Sequence, residues 1–173
     1  TSMSASSGTF SDGSGKYRNS LDCQFLIVPS SSHTVVRVVL TELELLDDGD
    51  RLEFYDGSSL SSPLLASYTG SMLPASITSA GQAMLVRLRT DAAGEQGTGF
   101  EATYQAVCEA GYTWDSISSN CRPCPAGSYS AFPAAESCLL CPLDFYAAAE
   151  GASGCTKCPA FATTSTTGSF LLQ

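Results

Sequence analysis

At 173 residues the chain has room for one ordinary domain and a smaller one. Its net charge is −9, with only 8 Lys and Arg, which argues against nucleic acid as a partner because phosphate neutralisation needs clustered basic residues. No apolar run approaches membrane-spanning length and no signal-peptide pattern opens the sequence, so a secreted form would be a mature chain or a segment of a longer protein.

Residues 24 to 105 read as strands and turns. "QFLIV", "TVVRVVL", "RLEFY", "PLLASY", "AMLVRLR" and "GFEATYQ" are short and rich in β-branched or aromatic residues. Turn signals separate them: Pro29 with the serines to Ser32, Asp48-Gly49, Asp56-Gly57, Ser79-Ala80-Gly81 and Gly94. No segment holds a helical period, so the expected fold class is all-β, an antiparallel sandwich. In "MLVRLR", Met84, Val86 and Leu88 share one face while Leu85, Arg87 and Arg89 share the other, which predicts a strand with one wet side.

The cysteines mark a boundary near residue 107. Cys23 stands alone, and the other seven run from Cys108 to Cys158. Cys121, Cys138 and Cys155 are 17 residues apart, as are Cys124, Cys141 and Cys158. Each unit reads C-x-x-C-P, with Tyr129, Phe145 or Phe161 a few positions on. A repeat of this kind is a stack of small units, none able to bury much apolar surface, so covalent or metal links must hold it.

Zinc fits poorly: six thiolates do not divide into four-ligand sites, the region has no His, and it lacks a basic surface. Redox chemistry lacks its strand-to-helix context. Disulfides are the expected links, and no zinc is expected. Sequential pairing is the simplest: Cys108–Cys121, Cys124–Cys138 and Cys141–Cys155, separated by 13, 14 and 14 residues. Each closure is worth about 3 kcal/mol in the chain-entropy model. Six cysteines nevertheless allow about fifteen pairings. Cys23 and Cys158 are left over. The repeat places a partner for Cys158 near position 172, where none stands, so the parent protein is expected to continue beyond Gln173.

Residues 108 to 173 resemble the ephrin-receptor-like cysteine-rich repeats, on the repeated C-x-x-C-P and "CPAGSYS". The second and third units depart from that motif as "CPLDFYA" and "CPAFATT". The resemblance implies an extracellular disulfide module acting mostly as a spacer. Residues 1 to 107 resemble a CUB domain: "GTFSDGSGKY", "YRNSLDCQFLI", "DRLEFYDG", "LRTD" and "GTGFEATY" stand in the expected order. This implies a jelly-roll-like β-sandwich that binds proteins or glycans without catalysis, sometimes through a calcium ion in loops at one end. One of the family's disulfides is absent, with Thr69 at one of its positions. Cys23 matches the other, whose usual partner lies before the "GTF" segment. That partner would lie upstream of Thr1, or Cys23 is a free buried thiol, or Cys108 substitutes.

The resemblance also implies a candidate calcium site. Asp50 and Asp91 match two Asp ligands and Tyr17 a supporting Tyr, while Leu46 falls at the Glu position. Glu44, Asp47 or Asp48 would have to replace it. Calcium takes oxygen ligands, and carboxylates supply charge as well. The competing reading is a solvated turn at Asp47, Asp48 and Asp50, with Asp91 capping the next loop.

No hydrolytic motif is present, so no catalytic residue is assigned. His33, the one histidine, lies in "SSSHT" and reads as an exposed loop residue. Trp114 reads as a cover for the Cys108 to Cys121 loop, and "TTSTT" at 163 to 167 as an O-glycosylated tract or a polar loop. The whole is expected to be an extracellular, secreted or cell-surface, interaction or assembly module. Its partners would be a protein or glycan, or neighbouring subunits of a coat or fibre. The alternative is an accessory region of a secreted protease whose catalytic domain lies elsewhere.

Overall fold

A computed structural model describes residues 1–160 and 162–169; the third repeat aromatic, Phe161, lies outside the described residues. The chain divides into two compact units, one of residues 1–31 and 35–106, the other of residues 32–34 and 107–173.

Residues 1–108 carry β1 (Ser2–Met3), β2 (Ser7–Ser11), β3 (Asp22–Ile27), β4 (Thr34–Glu44), β5 (Arg51–Tyr55), β6 (Leu64–Tyr68), β7 (Ile77–Thr78), β8 (Met84–Arg89) and β9 (Gly99–Cys108). They form a five-stranded sheet in the order β1-β3-β8-β5-β6 and a four-stranded sheet in the order β2-β9-β4-β7. The short β1 pairs parallel with β3, and β8 runs antiparallel between β3 and β5. Period-two alternation turns one face of each sheet inward. Ile27, Leu52, Phe54, Met84, Val86 and Leu88 of the first sheet and Val36, Val38 and Ala102 of the second are sealed from solvent. Phe10, Phe25 and Phe100 close one region of this core, with ring centroids 5.4 to 5.6 Å apart in tilted and edge-on contacts.

The wet side of β8 is only partly wet. Leu85 is nearly as buried as its inward neighbours and lies between Leu26 and Tyr55 on the flanking strands. Next to it Arg87 bonds Asp22 through two nitrogens, at 2.8 and 2.6 Å, and reaches Glu53 at 3.6 Å. The guanidinium beside Asp22 holds its carboxyl below the usual range, while the carboxylate raises Arg87 further.

The second unit holds three hairpins: β10 (Tyr112–Asp115) with β11 (Asn120–Pro123), β12 (Ser128–Tyr129) with β13 (Leu139–Leu140), and β14 (Phe145–Tyr146) with β15 (Thr156–Lys157). Disulfides join Cys108 to Cys121, Cys124 to Cys138 and Cys141 to Cys155. The 17-residue sequence period is also a period of backbone bonds. The N–H groups of Cys124, Cys141 and Cys158 donate to the carbonyls of Gly111, Gly127 and Asp144 at 2.8 to 2.9 Å. Ala134, Gly151 and Gly168 donate in turn to Cys108, Cys124 and Cys141, each at 2.8 Å. Gly111 and Gly127 have positive φ, and a Cβ on either would strike the carbonyl of Gly151 or Gly168. Cys124 and Cys141 are fully buried, whereas Ile117, Phe132 and Leu140 are exposed. The interior of this unit is largely sulfur and backbone.

Candidate functional site

The turn between β4 and β5 is built by its own acids. The Asp47 carboxylate accepts the Gly49 N–H at 2.7 Å, and its carbonyl accepts the Asp50 N–H at 3.1 Å. This seats Asp50 just ahead of β5, with no solvent exposure. One Asp50 oxygen accepts the Asp91 N–H at 2.9 Å from the loop after β8. The other is buried and makes no hydrogen bond of good geometry among the described residues, although the Tyr17 hydroxyl lies close to the carboxylate. A buried carboxylate oxygen left in this state is costly unless a cation or donor meets it.

Tyr17, from the segment between β2 and β3, stands beside Asp50. Its phenolic oxygen accepts the Leu46 N–H at 3.2 Å, and its hydroxyl donates to the Glu95 carbonyl at 3.4 Å. Burial raises its pKa, and the Asp50 carboxylate raises it further. Asp91 is exposed and accepts the Ala93 N–H at 2.9 Å. Two glycines allow the acids to crowd. A Cβ on Gly49 would strike the Asp91 carboxylate, and one on Gly94, at φ 102°, would strike that of Asp47.

The loops therefore gather Tyr17, Asp47, Asp50 and Asp91 at one end of the sandwich. Asp48 points to solvent, and Leu46 is about half exposed with only its backbone engaged. Glu44 accepts the Thr98 N–H at 2.8 Å and so braces the β8–β9 loop. Among the described residues no three Asp, Glu, His or Cys side chains converge closely enough to hold a metal ion. Asp47 and Asp91 each commit an oxygen to their own turns. The donor types still suit a hard cation, and the orphaned Asp50 oxygen supplies an unmet demand for one.

Sequence reasoning overlooked Thr69 as a brace. Its hydroxyl donates to the Asp47 carbonyl at 3.2 Å, and Leu45 and Gly70 exchange two backbone bonds at 2.9 Å. Non-covalent bonds thus tie the segments that the family resemblance would link by a disulfide. Asp12 was also missed: it accepts the Phe100 N–H at 2.8 Å, and burial raises its pKa against the effect of that bond. An Asp before a Gly in "SDGSG" is the available signal.

Elsewhere, His33 is exposed but engaged. Its Nδ1 lies 2.8 Å from Glu109 Oε1, and its ring stacks on Tyr112 with centroids 4.1 Å apart. Trp114 lies opposite Cys121 and is about half exposed. Thr163 donates to the Asp144 carboxylate, and the Thr164 hydroxyl accepts the Asp144 N–H at 2.9 Å, so the head of the Ser/Thr run is a built turn. Cys23 and Cys158 carry no disulfide among the described residues, and Cys23 packs against the sandwich core.

Comparison with known proteins agrees with this architecture. The CUB domain family matches residues 1–104, and the family described as tyrosine-protein kinase ephrin type A/B receptor-like matches residues 127–171. Human cubilin is 47% identical over 60 residues, which are 35% of this chain and 2% of cubilin. Rat multiple epidermal growth factor-like domains protein 8 is 36% identical over 109 residues, 60% of this chain and 4% of that protein. The chain thus spans a few per cent of the length of these relatives. The crystal structure of the MASP-1 CUB2 domain bound to Ca2+ superposes with a TM-score of 0.52 at 19% identity, covering 61% of this chain and 96% of that one. Two such modules in tandem, with three disulfides, mark an extracellular or cell-surface protein and an interaction module within it. The match over residues 1–104, together with the two-sheet sandwich, shows that the chain belongs to the CUB domain family.

Proposed function

We propose that the chain is a non-catalytic binding and assembly segment of a longer protein, with residues 1–107 and 108–173 as its two domains. Its partner is a protein or glycan, or a neighbouring subunit of a surface coat or fibre. The loop end around Asp50 receives that partner, and calcium is the cofactor the loops suit. The observation that supports this reading most directly is the buried Asp50 oxygen, without a hydrogen bond of good geometry among the described residues, near Asp47 and Asp91.

Asp47, Asp50 and Asp91 would hold the ion, with Asp48 at the rim and Tyr17 behind Asp50. Calcium would supply positive charge to oxygens that otherwise repel one another. The chain's own residues do the rest. Tyr17 joins the β4–β5 turn to the β8–β9 loop through Leu46 and Glu95, and Asp50 joins the same turn to Asp91. The remaining carboxylates present negative charge to a basic group on the partner.

The test is the melting temperature of the full chain in calcium and in chelator. Calcium is expected to raise it, by about 2.7 kcal/mol of stability at a hundredfold excess over Kd. Asp50→Asn should abolish the rise, and amide shifts should fall on Tyr17, Asp47 and Asp91. Identical melting in calcium and chelator would overturn the calcium reading.

A further inference from the structure

Only two buried side-chain polar atoms lack a partner among the described residues, and the second is Arg37 Nε. It lies on the outer face of the four-stranded sheet, away from the acidic loops. There β2, β9 and β4 present their outward residues side by side: Ser7 opposite Gln105, and Thr9 opposite Thr103. Arg37 and Val39 of β4 complete the surface, because Val36 and Val38 point into the core. Together they line an open cleft of about 460 Å³, floored by the backbone at Gly8 and Tyr104.

The chemistry of this cleft is specific. Ser7, Thr9, Thr103 and Gln105 can each donate and accept, as a ring of sugar hydroxyls demands. Val39, about two-fifths exposed, offers an apolar spot for the C–H face of such a ring. The volume suits one or two sugar units. Arg37 adds a fixed positive fork. Ion pairs among the described residues go to His33, Arg87 and Arg122, and none reaches Arg37. In a chain of net charge −9, Arg37 is a half-buried cation with no carboxylate beside it among the described residues. A planar anion in the cleft can take parallel N–H bonds from a guanidinium, which a point charge could not offer.

We infer that this outer-face cleft binds an acidic sugar residue, with its carboxylate or sulfate on Arg37 and its hydroxyls on Ser7, Thr9, Thr103 and Gln105. This site is independent of the acidic loops, and either can fail without the other.

Three probes test it by amide NMR titration of the full chain: sialyllactose, a sulfated galactose disaccharide, and neutral lactose. Saturable shifts at Ser7, Thr9, Thr103 and Gln105 are expected with one or both acidic probes, and which of them binds identifies the anion. Lactose should bind at least about tenfold more weakly. Arg37→Gln should cost the acidic probe a similar factor and leave the chain melting at or above the parent temperature, since it removes an unsatisfied donor. Should Arg37→Gln unfold, the Thr9→Val, Thr103→Val double variant, which preserves strand propensity, should weaken the same probe. Silence from both acidic probes at about 10 mM, a Kd weaker than any useful site, would overturn the inference. So would equal binding of lactose, undiminished binding by the folded variant, or shifts confined to the Asp47 and Asp91 loops.

Discussion

The two units solve the same problem by opposite means. The sandwich buries Phe54, Ile27, Leu52, Met84 and Leu88 completely and has no disulfide within residues 1–106, with Cys23 left as a thiol. The repeat unit buries Cys124 and Cys141 completely and leaves Trp114, Ile117, Phe132, Leu139, Leu140 and Leu143 exposed. Water is excluded from side chains in the first and from sulfurs and backbone in the second. A large apolar side chain is therefore a structural part of the sandwich and mostly a surface feature of the repeats. What the repeats need is closed loops and glycines where the chain folds back on itself.

Reduction separates the two most sharply. Each of three closures is worth about 3 kcal/mol in the chain-entropy model, and the repeat unit has little else to hold it. Complete reduction of the native chain should collapse the dispersed amide signals of residues 107–160 while those of Phe54 and Val86 persist. Repeat signals that survive full reduction would show that packing, not covalent closure, holds the unit.

Truncating an apolar side chain should do the reverse. Phe54→Ala is expected to cost the sandwich about 3–5 kcal/mol, a large part of a typical domain's stability. Leu140→Ala, at a position 64% exposed, should shift the repeats by less than about 0.5 kcal/mol. Urea unfolding followed at amides of each unit measures both, and equal costs would erase the distinction.

The glycine contrast is smaller. Gly127→Ala would put a Cβ against the Gly168 carbonyl at a φ of 84° and should cost about 1–3 kcal/mol. Gly154→Ala meets nothing within 4 Å and should stay within about 0.5 kcal/mol. Thermal melting of repeat amides decides it, with similar losses at both glycines counting against the backbone-ladder account.

The finest test is within the sandwich. Asp22, paired with Arg87, has a lowered carboxyl pKa. Its contribution is present above the unfolded carboxylate pKa and is lost as pH falls through the lower folded value. Asp12 is raised by burial, so its effect has the opposite sign, favouring the fold as pH falls through its raised value. A carboxyl NMR titration should show Asp12 protonating before Asp22 on acidification, and Arg87→Gln should bring Asp22 back towards the ordinary range. Coincident titration of the two would remove both environments as described.

The long strands were legible because alternation is a local signal. "RLEFY" and "MLVRLR" carry enough β-branched, aromatic and periodic residues to declare a face on their own. The strand β2, "SGTFS", was not read as one, having a single large apolar residue; it is ordered by pairing with β9 and by Phe10 in the core. At the loop end, the motifs supplied Tyr17, Asp50 and Asp91 as candidates. The crowding at Gly49 and Gly94 and the brace from Thr69 come from residues distant in sequence, which no local pattern reports.

The amino-acid sequence by itself determined the all-β class, the family resemblance and the 17-residue period of the repeats, because alternation, ordered motifs and cysteine spacing are properties of one stretch of chain. The tertiary structure alone decided which polar atoms are left buried without a partner among the described residues. Asp50 Oδ2 and Arg37 Nε are distinguished from other acids and arginines by what surrounds them, and that environment is assembled from several separate segments. Burial and pairing are properties of the assembled neighbourhood, so the two positions that most invite a ligand became visible only in the fold.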